Sequence, residues 1–354
     1  MAAGTFTASV LPDVLIKINE MFSGERHTPE LNKDIQTIQA LAERQTARFD
    51  KLDVLLDHMD CRGAKVVFLK DCTNTAINLI TDPITSCTLT GAETESESLT
   101  LANNLGYADS FSVKEEDCKD LFTIADKIAF LMASKMAAIE EKLNLACIAF
   151  LIANEQPVAD PLTYTETGNI VNIPTDAWTP ALLAEMAVMA KLSNLYSPFI
   201  ISGSNLYVAN FLADYRSQSS PSVDAVLKSG PFDIIFDIKN IDTTVGANAT
   251  FMVDPSSYAF WSTNQFQNTA PQEFSKGSTL YVWKQRAPRL VYNNNGVLTP
   301  VFFDMSTQET CAVVSGTRYV NRVFEIVFRG GLQLGPQVCS ATDTGILQFN
   351  ELAE

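Results

Sequence analysis

The chain has 354 residues, 46% hydrophobic and only 19% charged, and 25 Lys and Arg stand against 41 Asp and Glu for a formal net charge of −16. That supplies apolar material for two or three domains or one large elaborated one, and so acidic a surface excludes tight wrapping of a phosphate backbone. The seven cysteines are widely spaced without a C-x-x-C pair, which excludes a secreted disulfide framework and a cysteine zinc site and leaves free thiols of a cytoplasmic protein.

Residues 11–60 read as helical. Ile35, Ile38, Leu41, Gln45, Phe49, Leu52, Leu55 and Met59 recur at steps of three and four with charges between them, the period of one helix face. Pro29 precedes the run and Gly63 follows it as a stop. The pattern serves either a helix docked on its own domain or an arm reaching a neighbour, and residues 1–63 form one N-terminal helical unit. No signal peptide is read at the start, and no run approaches the ~18 apolar residues of a membrane span.

Residues 64–113 change character. Ala64–Leu69 is a strand-like run, and from Asn74 to Ser112 the chain is rich in Thr, Ser, Asn and acids. Between 71 and 113 there is no Lys or Arg, while Asp71, Asp82, Glu93, Glu95, Glu97 and Asp109 are acidic. Thr88–Thr90 and Ser98–Leu101 alternate in strand fashion around Gly91–Glu97, which predicts a long hairpin over 74–111 with a polar tip. Two strands alone are marginal in water, so this hairpin must lie on something.

Ser112-Val-Lys-Glu has the capping-box pattern, with Glu115, Glu116, Asp117 and Asp120 crowding the start of a run from Leu121 to Phe150 at helical spacing. A helix of more than ~30 residues would span about 45–50 Å. With it, residues 114–175 form the next unit. Pro157–Pro174 is a polar connection, and Pro180–Leu192 a second helix preceded by Thr179 as cap. Phe199–Ser202 is a strand and Ser204 starts a third helix. Strands follow at 231–238, 249–253, 280–283, 300–303 and 321–329, in a last unit spanning 176–354. Helices first and strands later predict an α+β class.

Chemistry is scarce. Only His27 and His58 could serve a Ser–His or Cys–His nucleophilic pair, and both read as surface residues. Gly330–Gly335 has the glycine spacing of a phosphate loop, but Pro336 and Gln337 stand where Lys and Ser/Thr are required. Glu140-Glu141 and Glu115-Glu116 are helix neighbours pointing about 100° apart, read as solvated faces. No His, Cys and acid cluster has metal spacing. The expectation is no catalytic site, no metal and no cofactor. Lys284, Arg286, Arg289, Arg318 and Arg322, with Tyr281, Trp283 and Tyr292 among them, read either as scattered strand-edge charges or as a receptor for the acidic Glu93, Glu95 and Glu97 of a neighbouring copy.

The order of elements resembles the major capsid proteins of tailed bacteriophages, the Hong Kong 97-type fold shared with encapsulin shells. The hairpin looks like that family's extended loop. Val113-Lys-Glu-Glu-Asp through Ala137-Ala-Ile-Glu-Glu-Lys-Leu is similar to the acidic entry into its spine helix. Pro198-Phe-Ile-Ile-Ser-Gly-Ser-Asn-Leu-Tyr-Val resembles the strand-then-helix step of its axial domain, as Phe251-Met-Val-Asp-Pro-Ser-Ser-Tyr-Ala-Phe resembles a later strand and turn there. Val323-Phe-Glu-Ile-Val-Phe-Arg through Gly335 resembles its final strand, so most of 64–350 is covered.

The resemblance implies peripheral and axial α+β domains, self-assembly into hexamers and pentamers of an icosahedral head, and enclosure of double-stranded DNA without sequence-specific binding. It also implies portal, scaffold and head-completion partners, a virion location after assembly in host cytoplasm, and no membrane. Some members link a loop lysine to a neighbour's asparagine. With no lysine between Lys70 and Lys114, the expected lock here is non-covalent. Residues 1–60 read as an arm gripping neighbours rather than a removed scaffolding segment. An encapsulin-like compartment and a tail tube or sheath subunit are the other structural readings, and the latter leaves the long helix unexplained.

Overall fold

The computed structural model describes residues 3–22, 31, 33–46, 64–70, 95–101, 103–114, 124–179, 181–208, 226–229, 232–245, 249–276, 278–294, 296–314, 317–335 and 343–352. Two helices open the chain, α1 (Ala3–Phe22) and α2 (Gln36–Arg44). Three strands follow, β1 (Ala64–Lys70), β2 (Glu95–Leu101) and β3 (Leu105–Lys114), and then α3 (Ile124–Ala153). Next come β4 (Thr165–Thr167), β5 (Ile170–Ile173), α4 (Leu182–Leu192) and β6 (Phe199–Ser202). They lead to β7 (Val226–Ser229), β8 (Phe232–Phe236) and α5 (Ile238–Val245). The rest is strand: β9 (Thr250–Val253), β10 (Tyr258–Ser262), β11 (Gln272–Glu273), β12 (Leu280–Asn294), β13 (Val297–Val314), β14 (Thr317–Leu334) and β15 (Ile346–Glu351). The class is α+β, as the sequence predicts.

The 30 residues of α3 contain neither Gly nor Pro and are rich in Ala, Leu, Met, Lys and Glu, the strongest helix formers. Ile128, Met132, Met136, Leu143, Cys147 and Leu151 form its buried stripe. The Asn154 side-chain Nδ2 donates to the carbonyl of Phe150 (2.7 Å), closing the last turn. The expected capping box at Ser112 is not one, because Ser112–Lys114 belong to β3. There Leu105 and Val113 are buried while Gly106, Ala108, Ser110 and Ser112 are exposed. This alternation fits a strand with one face on a core.

The structure redraws the hairpin as well. The partner of β2 is β1, antiparallel from Ala64 opposite Leu101 to Lys70 opposite Glu95. Thr88–Thr90, expected as the partner strand, lies outside the described residues, with the tip at Gly91–Thr94. The last residues assigned to the hairpin, 105–111, instead lie in β3 and pair with β14. The helix expected to run on from Ile35 stops at Arg44, and its positions from Phe49 onward lie outside the described residues. Gln45 ends it, because its side chain accepts from the Phe260 N–H (2.5 Å) and donates to the carbonyls of Phe260 (2.9 Å) and Asn293 (2.8 Å).

Among the described residues, β1 and β2 form a two-stranded sheet of their own. A six-stranded sheet runs β10-β14-β13-β12-β11 with β3 on β14, and a seven-stranded one runs β4-β5-β15-β9-β6-β8-β7. β13 and β14 have 18 residues each, about 60 Å at ~3.4 Å per residue. The middle of the seven-stranded sheet is covered on both faces. Phe199, Ile201, Phe251 and Val253 join a core with α1, α2, α3 and the six-stranded sheet. Their neighbours Ile200 and Met252 join a second core with α4. The period of two along each strand thus divides one sheet between two cores. α1 docks on its own chain: Val14, Ile18 and Met21 are buried in the first core, and Lys17 meets Asp126 at 2.6 Å.

Candidate assembly surface

The chain segment from Lys33 to Thr46 is stitched to the body by side chains far apart in sequence. Buried Asp237 accepts from the Thr37 hydroxyl (2.6 Å) and amide (3.2 Å), Asn144 Nδ2 (2.7 Å) and Asn240 Nδ2 (2.7 Å). Glu140, read as solvated, is in fact fully buried and takes Arg289 Nε (2.8 Å) and Nη2 (2.5 Å) on one oxygen. Its neighbour Glu141 pairs with Lys33 (3.0 Å) and Lys239 (3.5 Å). Arg289 also donates to the Lys33 carbonyl (2.7 Å) and stacks over Phe22. Burial pushes the Glu140 carboxyl up, with Arg289 opposing. Burial and the charge of Asp237 raise Asp34 to about 6. Arg289 therefore works inside the subunit.

The other cations named from the sequence divide. Arg322 is buried and donates from Nε to Glu309 (2.9 Å) on the adjacent strand β13. Lys284 lies over the Phe302 ring, 4.9 Å from its centroid, and Arg286, two residues along β12, is exposed. Arg318 stands opposite Val313 in the β13–β14 ladder, its side chain outside the described residues. In β2, Glu95 stands opposite Lys70 and Glu97 opposite Phe68, and Glu93 is outside the described residues. The structure thus does not gather the five cations at one place, and Lys284 with Arg286 is the pair it leaves on the outside of β12.

Two asparagines that the sequence analysis passed over hold the root of the hairpin. Between β2 and β3, Asn104 donates to the Leu332 carbonyl (2.8 Å) and accepts from the Leu332 amide (2.9 Å). Its side chain thereby copies one rung of a strand ladder at the end of the six-stranded sheet. Asn103 accepts from Trp261 Nε1 (3.3 Å). Both partners are more than a hundred residues away in sequence, and no local pattern marks such a clamp. The hairpin is therefore anchored where it leaves the sheet.

Among the described residues no group of His, Cys, Asp and Glu could hold a metal ion, and no helix is long and apolar enough to cross a membrane. No protein-family model matches the chain, and no curated protein does. Several solved structures resemble it. One is titled the capsid of a native GTA particle, at 11% identity and a TM-score of 0.47, with 91% of each chain covered. Another is the cyanophage Pam1 capsid asymmetric unit, at 9% identity and 0.46, covering 92% of this chain and 93% of that one. A third is the capsid of cyanophage P-SCSP1u, at 10% identity and 0.44, covering 88% of both.

Proposed function

We propose that the chain is a major capsid protein of a tailed-phage head, a structural shell subunit of the Hong Kong 97 type. The observation that carries this reading is the β1–β2 hairpin. Its strands pair with each other and with no other described strand, on a root clamped to the six-stranded sheet by Asn103 and Asn104. Two strands alone are marginal in water, so the hairpin needs a surface that its own sheets do not give it, and a neighbouring copy supplies one.

In this reading α3 is the spine, β1 and β2 with residues 71–94 are the extended loop, and the six-stranded sheet with α3 is the peripheral domain. The seven-stranded sheet with α4 is the axial domain. Copies form hexamers and pentamers around double-stranded DNA, helped by portal, scaffold and head-completion proteins, and the chain performs no catalysis. The net charge of −16 suits a wall that does not hold DNA tightly. The acidic residues Glu93, Glu95 and Glu97 meet Lys284, Arg286 and Arg318 of a neighbour in a non-covalent lock.

Electron microscopy of the purified protein, expressed alone and with its neighbouring genes, tests the reading. Closed shells tens of nanometres across are expected, and DNA inside them separates a phage head from a protein-filled compartment. Open tubes would replace the reading with a tail subunit, and a small oligomer under all conditions would end it.

A further inference from the structure

We propose that the outer edge of β3 receives the β1–β2 hairpin of a second copy, extending the six-stranded sheet across the boundary between subunits. The inference rests on the shell-subunit reading and specifies the mode of contact. Backbone parity determines which groups of β3 face outward. On the β3 side, Asn104 bonds both the amide and the carbonyl of Leu332, whereas on the β10 side the Thr263 amide donates to the carbonyl of Arg329. Even-numbered residues of β14 therefore turn their backbone toward β3. Phe324 stands opposite Phe111 and Ile326 opposite Asp109, so in an antiparallel ladder the odd residues of β3 make the bonds. The N–H and C=O groups of Gly106, Ala108, Ser110 and Ser112 are left facing out. The Ser110 amide agrees, donating to the Asp109 carboxylate (2.8 Å) in an exposed bond instead of to a strand partner.

That edge has little of the usual protection. Between Leu105 and Val113 its exposed residues are Gly106, Ala108, Ser110 and Ser112, and over its ten residues there is no proline and one terminal lysine, Lys114. Asp109, which is held by Lys135 (2.9 Å), is the one inward charge that blunts it. The hairpin supplies the matching need. A third strand is what a two-stranded ribbon requires for stability. The seven-residue β1, Ala-Lys-Val-Val-Phe-Leu-Lys, fits within the ten-residue edge and has the β-branched and aromatic content of a paired strand. Its own copy does not use it this way, because β2 and β3 share no ladder although only residues 102–104 separate them. Charge favours the match at one end: β1 carries Lys65 and Lys70 and no acid, while β3, whose Asp109 and Lys114 balance, runs into Glu115, Glu116 and Asp117. Donor hairpin and receiving edge are different surfaces, so the contact is head-to-tail and closes a ring when the rotation permits. β2 then stands five strands from β12 of the receiving copy, about 24 Å at ~4.8 Å per strand, so its acids meet the Lys284 and Arg286 of a different neighbour.

The test joins hydrogen exchange with a proline block. In assembled wild-type protein the amides of Gly106, Ala108 and Ser112 should exchange at least about tenfold more slowly than in the free subunit. The double variant Ala108→Pro with Ser112→Pro removes two outward N–H groups that β14 does not use, so the subunit keeps its ladder. It should retain its circular dichroism spectrum yet sediment as unassembled subunits, while Ala108→Ser with Ser112→Ala assembles normally. Wild-type particles whose β3 amides exchange as fast as in the free subunit would overturn the edge contact and leave the shell reading standing. So would a proline variant that assembles like wild type. Should the proline variant fail to fold, the wild-type exchange decides alone. A wild-type chain that never forms shells would remove the shell reading, and exchange at β3 in whatever oligomer it forms would still judge the edge.

Discussion

Glu140 and Arg289 show what a single buried pair does in this molecule. The carboxylate is wholly buried, one of its oxygens has no hydrogen-bond partner, and the guanidinium that neutralises it also holds the Lys33 carbonyl. Removing one member leaves a buried charge, so Arg289→Met should cost about 3–5 kcal/mol in a denaturant titration. Adding Glu140→Leu should recover most of that loss. Asp34 sets a pH dependence of definite sign. Its carboxyl is raised from 3.8 to about 6 by burial and by Asp237. The folded state therefore keeps a proton that the unfolded chain has lost, and this contribution to stability declines as pH rises between those values. Glu140, also raised by burial, acts in the same direction. At Glu141, burial pushes up but Lys33 and Lys239 outweigh it, so its contribution is present at neutral pH and lost as pH falls through its folded value. Melting temperatures of Asp34→Asn should vary less than wild type over the window from 3.8 to about 6. The adjacent acids at 140 and 141 were visible in the sequence, but their burial was not. It depends on Arg289, 149 residues away from Glu140.

At the scale of elements, periodicity was informative wherever one period ran unopposed. The spacing of α3 and the apolar runs of β8, β9 and β14 announced themselves. At Ser112 two signals competed, and the two-residue alternation of β3 prevailed over the capping box because β14 and α3 were there to bury its apolar face. The segment after Ile35 carried a helical period longer than the helix, since Gln45 forms three hydrogen bonds with Phe260 and Asn293 once the chain leaves α2. β10, unassigned in the sequence reading, depends on a close approach at its crossing with β14. A Cβ on Gly330 would lie 2.4 Å from the Trp261 carbonyl oxygen and 2.8 Å from the Phe328 ring. Gly330→Ala should therefore cost about 1–3 kcal/mol through forced separation of the two strands. Calorimetry of the purified variant would read this as a lower melting temperature, and an unchanged one would mean that the strands part freely.

At the scale of the whole molecule, the proposed role makes its demand on the surface rather than the core. Reversing Glu93, Glu95 and Glu97 to lysine together should leave the subunit folded, with an unchanged circular dichroism spectrum. The triple variant should fail to form stable particles, because like charges would then meet Lys284 and Arg286 of the neighbour. Particles as stable as wild type would take these acids out of the lock. The sequence by itself determined the α+β class, the long central helix, the stretch of 71–113 without a cation, and the count of only two histidines. These follow from composition and from periods of two and 3.6, which need only neighbouring residues to be read. Only the tertiary structure decided which strand β2 pairs with, that α1 lies on its own core, and that Glu140 and Arg289 are an internal pair. It alone decided that Asn104 clamps the hairpin root and that β3, among the described strands, pairs on one side only. Each of these depends on partners a hundred or more residues away or on ladder register, and no local pattern carries that information.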